Sequence, residues 1–189
     1  MEIYLIHHTS LQVPPGLCYG QLDLEPGESF EDELDRIRYM LPDKDPDICY
    51  TSPLTSCREL AKSICPAGII NTENRIMDLD YGTWEGQYWD HIEQDRLEVW
   101  LHDLMHTPPP EGETYHNMNE RVAGFWEELQ ELPATRVFIV THAGVIRSIL
   151  AHCLNLPFQK TFTFEIDFSS ITQVLLHSNH IKIGYVNRT

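Results

Sequence analysis

Eight consecutive residues carry the strongest fold signal in this chain: Val137-Phe138-Ile139-Val140-Thr141-His142-Ala143-Gly144. Their unbroken apolar start predicts a short strand buried on both faces, which is typical of a parallel sheet. The chain opens on a similar run, Ile3-Tyr4-Leu5-Ile6-His7-His8-Thr9. Because ligand sites in open α/β sheets form beyond the carboxyl ends of the strands, we expect the two strand-end histidine motifs to share one site.

Working outward from these two runs, strand and helix patterns alternate along the chain. Apolar periodicity predicts helices over residues 32–41, 54–65, 88–105, 114–132 and 145–154, and further strands over 48–51, 68–73, 161–168, 170–177 and 181–186. This alternation predicts an α/β fold with a mostly parallel central sheet. A chain of 189 residues is long enough to bury a sizeable core, and we expect one domain over residues 1–189.

The charge balance excludes two classes of partner. The chain has 29 acidic and 13 basic residues, which gives a net charge of −16. Nucleic acids and anionic membranes are both bound through basic patches, so we expect neither as a partner. A small anionic substrate would also be repelled by the whole molecule. Any anion site therefore needs a local cluster of hydrogen-bond donors.

Targeting signals and cysteine usage favour a cytoplasmic protein. The first residues lack the basic segment of a signal peptide, and no apolar run approaches the roughly 18 residues of a membrane span. The cysteines are odd in number and form no Cys-x-x-Cys pair: Cys18, Cys49, Cys57, Cys65 and Cys153. We expect reduced thiols. The sequence leaves a homodimer open.

Four segments bear a family resemblance. They are Leu5 to Thr9, Thr51 to Arg58 (TSPLTSCR), Asp78 to Gly86 (DLDYGTWEG) and Val140 to Arg147. Their order and spacing resemble the histidine phosphatase (phosphoglycerate mutase-like) superfamily, and the resemblance covers most of the chain. It implies a three-layer α/β/α sandwich whose site lies at the carboxyl edge of the strands.

Shorter stretches resemble the α-ribazole phosphatase branch of that superfamily. They are Gly16 to Asp23 (GLCYGQLD), and Trp84-Glu85-Gly86 followed by Trp89 to Ile92 (WDHI). The resemblance implies a small phosphorylated substrate, α-ribazole 5′-phosphate, with Tyr19 and Gln21 among the residues that bind it. No cofactor and no metal are implied.

The resemblance also implies a mechanism. His8 would attack phosphorus and form a phosphohistidine, which divides one difficult displacement into two easier ones. His142 would stabilise the transferring oxygens. Asp78, where the family usually has Glu, would protonate the leaving group and then activate water. Thr9 and the backbone N–H of Ala143 would bind phosphate, the latter because the first amides of a helix are unpaired.

Two positions depart from the family pattern. His7 stands where the motif has Arg before its histidine, and Ser56 stands at the Arg position of Ser-Pro-Leu-x-Arg. Both phosphate-binding arginines are therefore absent, although phosphoryl transfer depends mainly on positioning and on neutralising charge. A protonated His7 would restore part of that charge, since the unperturbed imidazole pKa is about 6.5.

Other interpretations of these residues stay open. A pseudophosphatase would keep the fold and both histidines without turnover. A metal site could combine His7, His8, His142 and Asp78, since imidazole and carboxylate are zinc ligands. Adjacent strand residues point to opposite faces, however, which argues against His7 and His8 sharing one ion. In the plainest interpretation, His7 fills space and Asp78 is a turn residue.

Overall fold

A computed structural model describes residues 1–66, 68–178 and 180–189. Its centre is a six-stranded sheet in the order β3-β2-β4-β1-β5-β6. The strands are β1 (Glu2–His7), β2 (Ile48–Thr51), β3 (Ile70–Thr72), β4 (Arg136–Thr141), β5 (Ile171–His177) and β6 (His180–Arg188). Neighbours from β3 to β1 pair in parallel, and β5 pairs antiparallel with both β1 and β6. The predicted mostly parallel sheet is confirmed.

Helices cover both faces of this sheet. They are α1 (Phe30–Met40), α2 (Thr55–Ile64), α3 (Gln94–His102), α4 (Tyr115–Gln130) and α5 (Ala143–Leu154). One buried cluster joins alternate residues of β1 and β4 to α4 and α5, and a second joins the intervening residues to α1 and α2. Strands buried on both faces read as unbroken apolar runs, which explains the sequence of β1 and β4. The predicted three-layer sandwich is confirmed.

An aromatic cluster packs beside this sandwich. Trp84 and Trp100 are buried in it, and Trp89 and Tyr115 pack against them. The Trp89 and Trp100 rings are stacked, with their centroids 6.0 Å apart. The cluster packs α3 and the loop before it against α4.

Two predicted elements are wrong. The strand predicted over 161–168 is a 3-10 turn, Phe158–Thr163, followed by an irregular segment. The helix predicted over 88–105 is reduced to α3, with a 3-10 turn at Trp89–His91 before it. In both cases, aromatic residues that fit a strand or helix pattern pack elsewhere. Trp89 packs in the aromatic cluster, and Phe168 stacks on His7.

The register of β1 on β4 positions the site. His7 pairs with Thr141, and the next residue along each strand is a histidine. The backbone N–H of His8 donates to the Thr141 carbonyl at 3.1 Å. In the part of the chain that the structure describes, no helix is long and apolar enough to cross a membrane.

Candidate active site

Two histidines from distant parts of the chain meet at the carboxyl end of the central strands. The ring centroids of His8 and His142 lie 5.0 Å apart in an edge-to-face arrangement. Both side chains are buried, each with 2% of its surface exposed. The expectation that the two strand ends share one site is therefore met by their geometry.

The tautomer of His8 follows from one hydrogen bond. Its Nδ1 lies 2.7 Å from the carbonyl oxygen of Thr9. Since a carbonyl oxygen can only accept, Nδ1 carries the proton and Nε2 keeps its lone pair. Burial lowers the pKa of His8 to about 4, so the ring is neutral at neutral pH. This is the protonation state that a nitrogen nucleophile needs.

His7 lies inside the site, but it does not replace a lost arginine charge. Its Nδ1 donates to the Asp167 carbonyl at 2.7 Å, and its ring stacks on Phe168 with centroids 4.9 Å apart. Burial and the neighbouring His8 hold the pKa of His7 well below its ordinary value. The hypothesis of a protonated His7 is wrong for this reason.

The argument that His7 and His8 point apart is also wrong. Their ring centroids are 4.7 Å apart. Strand pairing ends at His7, so the alternation of side chains does not continue to His8. Even so, no group of three or more His, Cys, Asp and Glu residues in the described ranges has a geometry that could hold a metal ion.

His142 is oriented by side chains from α2 and the loop before it. Its Nε2 lies 2.9 Å from the Ser52 hydroxyl and 3.6 Å from the Cys57 sulfur. Burial, followed by the neighbouring His8 and His7, holds the pKa of His142 well below its ordinary value. Ser52 is therefore a site residue that the sequence does not predict, although it begins the Ser-Pro-Leu motif.

Asp78 has the pKa of a general acid. It lies in the loop after β3, and its Oδ1 accepts from the backbone N–H of Leu79 at 2.9 Å. Burial raises the pKa of Asp78 to about 6. Catalytic carboxyls that act near neutral pH are tuned in this direction. The close packing of α5 depends on Gly144, because a Cβ there would lie 3.0 Å from Asp78 Oδ1.

The backbone of Asp78 is held by two side chains. Gln21 Nε2 and Arg121 Nη2 each donate to its carbonyl at 2.8 Å. Arg121 also donates to the carbonyls of Arg75 and Met77 and pairs with Glu113 at 2.5 Å. The amide of Gln21, a predicted substrate-binding residue, contacts this loop. The sequence does not identify Arg121 as a site residue, because an arginine on an amphipathic helix is usually solvent-exposed.

A cavity of about 190 Å³ opens beside Asp78. Tyr19 lines it together with Cys18, Tyr81 and Trp89. Burial raises the pKa of the Tyr19 phenol to about 12, so the phenol keeps its proton at neutral pH. Tyr19 and Asp78 therefore line the same cavity.

The remaining predicted residues surround the two histidines. Thr9 is fully buried, and its hydroxyl has no hydrogen-bond partner among the described residues. Ser56 is buried in the first turn of α2, next to Cys57. Ala143 is the first residue of α5, where backbone amides lack intrahelical acceptors. The site therefore has neutral donors but no charged side chain at position 7 or 56.

Glu33 stabilises the loops that carry the histidines. Its carboxylate accepts from the Ser10 backbone N–H at 2.9 Å, the Ser29 hydroxyl at 2.6 Å and the hydroxyls of Ser10 and Ser169. Ser10 follows the His8 loop, and Ser169 follows the segment that holds His7. Burial alone would raise the pKa of Glu33, but these hydrogen bonds outweigh it and lower the pKa.

We expect Glu33→Gln to destabilise the protein at pH 7. The amide cannot accept all four hydrogen bonds, and the loss of charged hydrogen bonding is worth about 2 kcal/mol of unfolding free energy. Because the folded pKa is lowered, this stabilisation is present above the ordinary glutamate pKa and is lost as pH falls. Urea unfolding of both proteins at pH 7 and pH 3 tests this, with exposed Glu31→Gln as the control. An equal difference at both pH values would contradict it.

Comparison with known proteins places this site in a family. The family model for the histidine phosphatase superfamily (branch 1) matches residues 3–189. Phosphoserine phosphatase 1 of Hydrogenobacter thermophilus is 23% identical over 196 residues, covering 100% of this chain and 93% of that protein. The adenosylcobalamin/alpha-ribazole phosphatase of Escherichia coli is 23% identical over 177 residues, covering 88% of this chain and 86% of that protein.

The fold of this chain is also that of solved phosphatase structures. The alpha-ribazole phosphatase of Shigella flexneri superposes with a TM-score of 0.92 at 20% identity, covering 100% of this chain and 96% of that one. The family match confirms the predicted class of enzyme, a phosphatase-type hydrolase. With its histidine-lined site at the end of β1 and β4, the chain belongs to the histidine phosphatase superfamily, branch 1.

Proposed function

We propose that this protein hydrolyses a phosphomonoester through a phosphohistidine on His8, with α-ribazole 5′-phosphate as its substrate and residues 1–189 as one catalytic domain. The observation that carries the proposal is the hydrogen bond from His8 Nδ1 to the Thr9 carbonyl, which leaves Nε2 unprotonated. The neutral ring faces His142, and Asp78 supplies an acid with a raised pKa in the same site.

In the first step, the His8 Nε2 lone pair forms a bond to phosphorus as the ester P–O bond breaks. The proton of Asp78 passes to the departing alkoxide oxygen, so the alcohol leaves uncharged. Thr9, His142 and the amide of Ala143 donate to the phosphoryl oxygens, where charge develops.

In the second step, the Asp78 carboxylate accepts a proton from water as the water oxygen attacks phosphorus. The P–N bond to His8 breaks, inorganic phosphate leaves, and Asp78 is again protonated. The two steps together therefore return the site to its starting protonation state without a cofactor.

The choice of α-ribazole 5′-phosphate rests on the Gly16–Asp23 stretch and on the names of two relatives. Tyr19 from that stretch lines the cavity beside Asp78 and supplies an aromatic wall for a ring-bearing leaving group. A phosphoserine phosphatase matches at the same 23% identity, so the substrate must be measured directly.

We expect hydrolysis of α-ribazole 5′-phosphate to exceed that of phosphoserine and to decline as pH rises above about 6. The decline follows because Asp78, whose pKa burial raises to about 6, loses the proton that the leaving group needs. At the acid side, activity persists to about pH 4, where His8 becomes protonated. The measurement is kcat/KM from pH 4 to 8 on both esters.

The substitution Asp78→Asn tests whether the role of general acid belongs to Asp78, because a change in substrate ionisation alone would not depend on this side chain. We expect it to slow the alkyl ester about 10²-fold or more, and p-nitrophenyl phosphate much less, because nitrophenolate leaves without a proton. Exposed Asp35→Asn serves as the control. Equal losses on both esters would contradict the role of Asp78 as general acid.

A pseudophosphatase is the second candidate, and a specific observation favours it. Positions 7 and 56 carry a neutral imidazole and a hydroxyl, so no charged side chain faces the phosphate from either. If the protein binds α-ribazole 5′-phosphate but does not hydrolyse it at every pH tested between 4 and 8, this alternative is established.

A further inference from the structure

The site lacks the positive charge that a phosphoryl group needs. His7, His8 and His142 are neutral for the reasons given above. The guanidinium of Arg121 is already paired with Glu113 and donates its remaining hydrogen bonds to backbone carbonyls. With a net charge of −16, the molecule as a whole repels anions. A phosphate site here therefore needs a cation from another position.

Arg147 is placed to supply that cation. It lies on α5 three residues after Gly144 and four after Ala143, which puts all three on one helical face. Helical side chains lean toward the N-terminus, so Arg147 leans toward the start of α5, where the site lies. Gly144 itself packs closely on the Asp78 loop, since a Cβ there would lie 3.0 Å from Asp78 Oδ1. Burial dominates the pKa of both Asp78 and His7, and the charge of Arg147 has a smaller lowering effect on each.

The hydrogen bonding of Arg147 leaves donors available. Its Nε and Nη2 both donate to the Phe164 carbonyl at 3.2 Å, which holds one edge of the guanidinium. Within residues 1–66, 68–178 and 180–189, Nη1 has no acceptor and no carboxylate forms an ion pair with Arg147. A guanidinium that is half-anchored and free of a carboxylate has a fixed orientation and an unneutralised charge.

We propose that Arg147 binds the phosphoryl group and replaces, from α5, the charge that positions 7 and 56 no longer carry. This inference rests on the proposed function for its choice of ligand, but it concerns binding and does not depend on turnover. The fork of a guanidinium matches phosphate oxygens, and its single charge neutralises part of the dianion.

Calorimetric titration with inorganic phosphate tests the proposal. We expect Arg147→Gln to weaken phosphate binding about 10- to 100-fold, while Arg38→Gln, which removes the same charge from an exposed position on α1, leaves it unchanged. In protein that carries His7→Arg and Ser56→Arg, the same Arg147→Gln substitution should cost less, because the charge is then supplied twice. Equal losses in both backgrounds would indicate a structural role and overturn the proposal.

The wild-type protein offers a test that does not depend on the variant folding. The side-chain Nε signal of Arg147 should shift in NMR spectra on addition of phosphate, and that of Arg38 should not. An unmoved Arg147 signal in protein that binds phosphate overturns the proposal. Protein that hydrolyses no ester but binds phosphate through Arg147 refutes the proposed hydrolase and supports this inference. If the wild type turns over substrate and Arg147→Gln binds phosphate with unaltered affinity, the hydrolase is supported and this inference is refuted.

Discussion

His8→Ala is expected to lose about 10³-fold or more of kcat, because it removes the atom that forms the bond to phosphorus. The neighbouring His142 does not offer an equivalent free nitrogen, because its Nε2 lies 2.9 Å from the Ser52 hydroxyl and 3.6 Å from the Cys57 sulfur. The same substitution should abolish acid-labile label when the protein is quenched during turnover of a ³²P-labelled ester. Rapid quench and steady-state rates together measure both effects.

The control for this substitution is His106→Ala, which removes an imidazole that is 69% exposed. Thermal unfolding of both variants checks the fold, because His8 is buried and its loss leaves a void. Label retained by folded His8→Ala, or turnover within tenfold of the wild type, would refute the covalent route through His8.

Restoring two arginines should produce the largest gain. We expect the double variant His7→Arg/Ser56→Arg to raise kcat/KM about 10²- to 10⁴-fold. Each charged hydrogen-bonding group is worth about 1.5–3 kcal/mol, so the pair is worth roughly 3–6 kcal/mol if all of it applies in the transition state. The gain is expected because the present side chains at these positions carry no charge and adjoin His8 and Cys57. Hydrolysis of p-nitrophenyl phosphate at pH 6 measures it.

A matched control places the same residue changes on the surface. His106→Arg/Ser178→Arg alters net charge equally at two exposed positions and should leave kcat/KM unchanged. An unchanged rate in the site variant, with native unfolding behaviour, would show that missing charge does not limit this protein. A wild type without turnover that gains activity only in the site variant would favour the pseudophosphatase over the hydrolase.

Much of the fold is predictable because burial imposes patterns on sequence. The apolar runs of β1 and β4 predict strands covered on both faces, and the structure confirms them between two helical layers. The segment 161–168 is mispredicted as a strand. Its alternating aromatics satisfy a strand pattern, yet Phe162 packs on Tyr115 and Phe168 stacks on His7 instead. Local periodicity cannot distinguish pairing with a strand from packing against a distant side chain.

Some site residues can likewise be identified from local sequence, and others cannot. His8 and His142 are identifiable from the sequence because each ends a buried strand, and strand ends of a parallel sheet meet at one edge. Arg121 and Glu33 are not identifiable, because both hold loops through hydrogen bonds to residues far away in the chain. The family match over residues 3–189 agrees with the order of motifs but does not reveal these contacts.

By itself the sequence determined the α/β class, the two strand-end histidines and the absence of arginine at positions 7 and 56, since each is a matter of residue type and spacing. Tertiary structure alone decided the protonation states. His7 is neutral and Asp78 has a raised pKa because burial disfavours their charged forms. It also decided where the Arg147 guanidinium lies, since its Nε and Nη2 donate to the Phe164 carbonyl, which lies outside α5. Charge can be counted along a chain, but desolvation and distance exist only after folding.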